Sequence, residues 1–93
     1  MRVYEVLATF LRGGCGATSH QRLWTDGWRL FSYGRLIAWY DGIPRRRVAV
    51  RTSRNDPVAV ERHKLKLIDM NGGEYPIEMR PPVDKWGYEV TDG

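Results

Sequence analysis

The sequence predicts an α+β domain: an N-terminal helix, a three- to four-stranded antiparallel meander, a second helix packed on the sheet and an extended C-terminal tail. Three observations carry that reading. Apolar residues recur at helical spacing before residue 12, aromatic residues crowd into 24–42 between glycine turns, and Asp56-Pro57 opens a second helical stretch.

Val3, Val6, Leu7, Phe10 and Leu11 follow the i, i+3, i+4, i+7, i+8 pattern of one helical face. Gly13-Gly14 after Arg12 supplies a stop, so a helix is predicted over 2–12 and a Gly-rich connector over 13–18. Within 24–42, three Trp, two Tyr and one Phe are divided by Asp26-Gly27, Gly34-Arg35 and Asp41-Gly42. Asp-Gly adopts the positive φ of tight turns at little steric cost, and aromatic or β-branched residues between such turns suit a pleated surface. Strands are predicted at 19–25, 28–33, 36–40 and 46–52. In the last, Val48 and Val50 alternate with Arg47, Ala49 and Arg51, the mark of a half-exposed strand with one basic face. Ile43-Pro44 belongs to the preceding loop, because proline cannot donate to a ladder.

Asp56 suits a helix cap and Pro57 the first turn, where its missing N–H does no harm. Val58, Val60, Leu65, Leu67 and Ile68 then cover one broad face, predicting a helix over 57–69. A hairpin competes for the same residues: Leu65–Ile68, a turn at Asn71-Gly72-Gly73, and Tyr75-Pro76-Ile77. The helix is preferred because its pattern starts at Val58, before any strand needs to begin. Residues 76–93 read as a tail with one short strand at 86–90.

Ninety-three residues form one small domain, 1–93, with one core and one binding surface. The lone Cys15 forms no internal disulfide and fits a reducing cytosol. No apolar run approaches the roughly 20 residues that cross a bilayer, and the N-terminus has no signal-peptide pattern. The expectation is a cytoplasmic protein without a membrane partner. The net charge is +4, and twelve of fifteen cations are Arg. That chemistry fits phosphate or an acidic protein surface, although GC-rich coding produces the same bias.

At Asp26-Gly27-x-x-Leu30-x-Ser32-Tyr33-Gly34-x-x-Ile37-Ala38 the chain resembles small accessory proteins encoded by phages and mobile elements. Thr52-Ser53-Arg54 and His63 stand where that family places a Thr/Ser/Arg stretch and a helix histidine, with Asn55-Asp56-Pro57 lengthening the spacing. The likeness spans residues 3–68. It implies an α-helix before a meander, a host-cell cytoplasmic setting, and action on a host complex or on nucleic acid.

No catalytic constellation emerges. Cys15 and His20 lack an orienting third group, His63 stands between Arg62 and Lys64, and one Cys with two His falls short of a zinc site. Gly13-Gly14-Cys15-Gly16 lacks the Gly-Lys-Ser/Thr ending of a phosphate loop. No enzyme, cofactor or metal is expected. Asp26 and Asp41 are assigned to turns and Asp56 to capping. The binding candidates are Arg45, Arg46 and Arg47 with Arg35, Arg51 and Arg54 for charge, and Trp39 and Tyr40 for apolar anchoring. Trp28, Leu30 and Tyr33 cannot share one face under strict alternation, so some aromatics lie outside.

The predicted function is non-catalytic binding to a host protein or ribonucleoprotein complex. Inhibition of a nucleic-acid-guided defence nuclease is one form that the phage-like context implies. Two alternatives stand beside it: direct nucleic-acid binding by the Arg patch, and an oligomer-forming subunit that pairs the edge strand of the meander with its copy.

Overall fold

A computed structural model describes residues 1–44, 46–52 and 56–81 of the chain. In order along the chain they form α1 (Val3–Leu11), β1 (Gly16–Ala17), a 3₁₀ turn (Ser19–Gln21), β2 (Leu23–Thr25), β3 (Arg29–Ser32), β4 (Arg35–Asp41), β5 (Arg47–Arg51), α2 (Val58–Asn71) and β6 (Ile77–Arg80). The six strands lie in sequence order in one sheet. Neighbours from β1 to β5 are antiparallel, and β5 pairs with β6 in parallel.

The α+β class and both helices agree with the sequence reading, and the strand count exceeds it by two or three. Two strands arise outside the predicted meander. Gly16 and Ala17, read as a connector, pair with Thr25 and Trp24. Ile77–Arg80, read as tail, continues the sheet beyond β5. A parallel neighbour needs a crossover connection, and α2 provides it. Of the competing readings of 65–77 the helix holds and runs on to Asn71; the hairpin does not form, because the strand that begins at Ile77 pairs with β5. The predicted strand at 86–90 lies outside the described residues. At the front of the meander, Ser19–Gln21 turns rather than extends, so β2 starts only at Leu23.

Both helices pack against one face of the sheet and against each other. Val6, Leu7, Phe10 and Leu11 of α1 meet Leu23, Leu30, Ile37, Ala38, Val48 and Val50 of the sheet and Val60 and Leu67 of α2. Most of these side chains are fully buried, and each contributes about 1.5–3 kcal/mol relative to exposure. The register shifts between Leu30 and Phe31, where Ile37 bulges inward, so Leu36 and Trp39 both face the side without helices.

The buried stripe of α2 keeps Val60 and Leu67 of the predicted face, with Ile68 packed beside them, and departs from the rest of it. Val58 and Leu65 are exposed, and the inward positions are Val60, Lys64, Leu67 and Asn71. The two polar members are satisfied where they lie. Asn71 Nδ2 donates to the Tyr75 carbonyl at 2.7 Å and its Oδ1 accepts from Tyr75 N, closing the turn into β6. Gly72 ends the helix at φ 55°, a left-handed position that suits glycine.

Tyr40 locks α1 to the sheet. Its hydroxyl donates to the Phe10 carbonyl at 2.8 Å, and its ring meets Phe10 at 4.8 Å and, edge-on, Tyr75 at 5.4 Å. Phe10 lies in the last turn of α1, where carbonyls lack helical partners, and its oxygen also accepts from Gly13 N. No helix among the described residues is long and apolar enough to cross a membrane. Replacing Tyr40 by Phe keeps the rings and removes the hydroxyl, so urea unfolding should show a loss of about 1 kcal/mol. No measurable loss would show that the hydrogen bond contributes nothing.

Candidate functional site

The predicted arginines do not form one free patch. Arg35 at the start of β4 and Arg51 at the end of β5 reach the same carboxylate oxygen of Asp56, at 3.1 and 2.6 Å. Lys64 on α2 pairs with the other oxygen. Asp56 has no exposed side-chain surface, and Lys64 and Arg51 retain only 5 and 10% of theirs. Burial works to raise the Asp56 carboxyl. The hydrogen bond from Lys64 and the charge of Arg51 outweigh it and hold the group below its ordinary value. Asp56 therefore does not cap α2. Pro57 takes the N-cap position, without a side-chain cap bond.

Arg47 is also engaged. It donates to Glu78 Oε2 at 2.8 Å, and Arg80 donates to the same oxygen at 3.0 Å. Hydrogen bonds from Arg80 and then Arg47 pull the Glu78 carboxyl down to about 2. Arg80 makes a second ion pair with Asp41, which is thus more than a turn residue. Arg46 is exposed and has no carboxylate partner among the described residues. Arg45 and Arg54 lie outside the described residues.

The two predicted aromatic anchors separate. Tyr40 is buried and is no exposed anchor, because its hydroxyl is needed at the end of α1. Trp39, next along the strand, faces the opposite way and is half-buried. There it lines a groove of about 470 Å³ running along β4 with Trp28, Leu36, Arg29, Arg51 and Arg80, and Tyr40 borders the same groove from its buried position. Trp28, not singled out as an anchor from the sequence, is 47% exposed. The signal for it was present, since Asp26-Gly27 projects the next residue from a turn. Asp26 Oδ1 accepts from the amides of Trp28 and Arg29 at 2.9 and 2.8 Å, and Oδ2 takes the Arg29 guanidinium. Burial tends to raise the Asp26 carboxyl, and these amide and guanidinium bonds outweigh it and lower it. The groove thus has an aromatic floor and a rim of ion pairs.

On the helix side, Ser32 Oγ and His63 Nδ1 share a hydrogen bond of 2.7 Å, and the Tyr33 ring lies parallel to the imidazole with centroids 6.0 Å apart. Ser32 is fully buried, so the pair does not present a hydroxyl to an incoming substrate. Its effect is to tie α2 to the β3–β4 hairpin. Burial, and then the Lys66 charge, push the His63 imidazole below its ordinary value. The Cys15 thiol donates to the Asp26 carbonyl at 3.4 Å rather than engaging His20. Among the described residues no group of three or more His, Cys, Asp or Glu is placed to hold a metal ion.

No protein-family model, curated protein or solved structure matches the chain.

The direction for His63 has a consequence. The unfolded chain takes up a proton near pH 6.5 while the folded chain resists it, so stability falls as pH drops through that value. Melting temperatures between about pH 7.5 and 5.5 should decline in the wild type and decline less in His63→Gln. An equal decline in both would assign the dependence to other groups.

Proposed function

We propose that the chain is a non-catalytic accessory protein of the phage type, binding a protein of a host macromolecular complex through the groove along β4. The observation that carries this reading is one groove in which Leu36 and Trp39, on the sheet face that neither helix covers, are joined by the exposed Trp28. An aromatic centre within a charged rim is the anatomy of a protein interface: buried rings provide most of the energy and the rim provides orientation. The partner that fits presents an apolar or aromatic anchor with acidic flanks. The net charge of +4 favours such flanks. Occlusion of a nucleic-acid-guided defence nuclease is the form of action that the phage-like context suggests.

The pairing of Arg35, Arg47 and Arg51 with Asp56 and Glu78 favours this reading over phosphate binding by the same residues, since each guanidinium already has its anion. Self-association by pairing β5 with its copy is blocked because β6 already occupies the free side of β5.

A pull-down from nuclease-treated host lysate tests the proposal. The wild type should retain a protein in high salt, and Trp39→Ala should retain about tenfold less or lower still, the scale of an interface hot spot. A retained species that disappears with nuclease, or that Trp39→Ala holds equally well, would contradict the reading.

A further inference from the structure

A second cavity, of about 410 Å³, lies on the helix side, lined by Arg2, Thr18, Ser19, Arg22, Tyr33 and His63. It does not belong to the groove along β4. Its cations differ from the predicted patch, because neither Arg2 nor Arg22 has a carboxylate partner among the described residues. The carboxylate bonded at this rim, Glu5, accepts from the backbone amide of Arg2 and leaves the guanidinium unpaired. Lys66 adds to the positive field, as its effect on His63 shows. Two guanidiniums without a carboxylate partner among the described residues thus border one cavity, while Arg35, Arg47 and Arg51 of β4 and β5 are held by carboxylates.

The backbone around this cavity is unusual as well. Among the described residues the non-glycine positions with positive φ are His20 (60°), Gln21 (53°) and Tyr33 (51°). His20 and Gln21 lie in the turn between Ser19 and Arg22, and Tyr33 lines the cavity itself. A tyrosine in the left-handed region costs roughly 1–2 kcal/mol, and asparagine or glycine would fill the first position of this Tyr33-Gly34 turn more easily. The strain is maintained by the Tyr33 N–H donating to the Arg22 carbonyl at 2.7 Å, which joins the hairpin tip to the turn. It places a ring that is 49% exposed in the same cavity lining as Arg2 and Arg22, with His63 parallel behind it. Strain of this kind concentrates where a side chain is displayed for contact.

We propose that this cavity binds a nucleotide carrying a terminal phosphate, either free or at the 5′ end of a single strand. Arg2 and Arg22 supply guanidinium forks to the phosphate, the hydroxyl of Ser19 supplies a further donor, and the open face of Tyr33 stacks on the base. The cavity lies within the 300–1,000 Å³ range of small-ligand sites. Binding needs no bond-breaking step. The inference is independent of the groove reading and uses none of its residues.

Calorimetric titration of the whole chain with AMP, a short 5′-phosphorylated single strand, the same strand without its phosphate, adenosine and inorganic phosphate tests it. AMP, the phosphorylated strand or both should bind about tenfold or more tighter than the unphosphorylated counterparts and than inorganic phosphate. Binding by AMP alone assigns the free nucleotide, and binding by the strand assigns the strand end. Arg22→Ala should weaken binding at least about tenfold, and Tyr33→Ala should lose the advantage over inorganic phosphate that Tyr33→Phe keeps. Both positions are exposed, so melting curves close to wild type should accompany these losses. Trp39→Ala should leave nucleotide affinity unchanged, which separates this site from the groove. Absence of binding by AMP and the strand, unchanged affinity in Arg22→Ala, or inorganic phosphate binding as tightly as AMP would overturn the proposal.

Discussion

One carboxylate, removed from water, organises this protein. Asp56 stands before α2 and gathers Arg51 from the end of β5, Lys64 from the second turn of the helix and Arg35 from the start of β4. Two of these cations are themselves buried, so each charge has a place only if the others are present. Replacing one member leaves an uncompensated buried ion, and this asymmetry gives such clusters their hold on local geometry. Fixing α2 over the sheet in turn directs the chain into β6, the parallel neighbour of β5, and leaves the far face of the sheet clear of helices.

From that constraint the molecule divides into two surfaces of different chemistry. Along the groove, Trp28 and Trp39 sit in a surround of neutralising pairs: Arg29 with Asp26, Arg80 with Asp41 and Glu78, and Arg47 with Glu78. Electrostatics there fix the positions of side chains and leave little net field. Around Tyr33 the balance is reversed: Arg2 and Arg22, which have no carboxylate partner among the described residues, border a cavity. A chain with an excess of arginine thus uses some of them as internal struts and others as a surface, and only their carboxylate neighbours distinguish the two.

That distinction explains how far the sequence could be read. Both helices and most strands were legible because their signals are local: Gly13-Gly14 stops α1, and Asp26-Gly27 and Asp41-Gly42 turn the meander with Gly27 and Gly42 at positive φ. The fate of the arginines was not legible, since Arg35 meets Asp56 across 21 residues and Arg47 meets Glu78 across 31. A capping role for Asp56 was the local reading, and the tertiary pairing displaced it. β6 escaped notice because its four residues pair in parallel, through a crossover that alternation cannot reveal. The exchange of Tyr40 for Trp28 as an anchor has the same cause: the Tyr40 hydroxyl meets the Phe10 carbonyl across 30 residues, a contact that no local pattern marks. At Tyr33-Gly34 a signal was available: a bulky residue in a turn position that favours asparagine or glycine.

A double-mutant cycle on Arg51 and Asp56 tests the central claim most directly. Free energies of unfolding would be measured for Arg51→Met, Asp56→Asn and the pair. If the carboxylate and the guanidinium depend on each other, each single change destabilises strongly and the pair costs less than the sum by about 1–3 kcal/mol. Losses that add to within about 0.5 kcal/mol would mean that Arg51 and Asp56 act separately and that the fold is held in some other way.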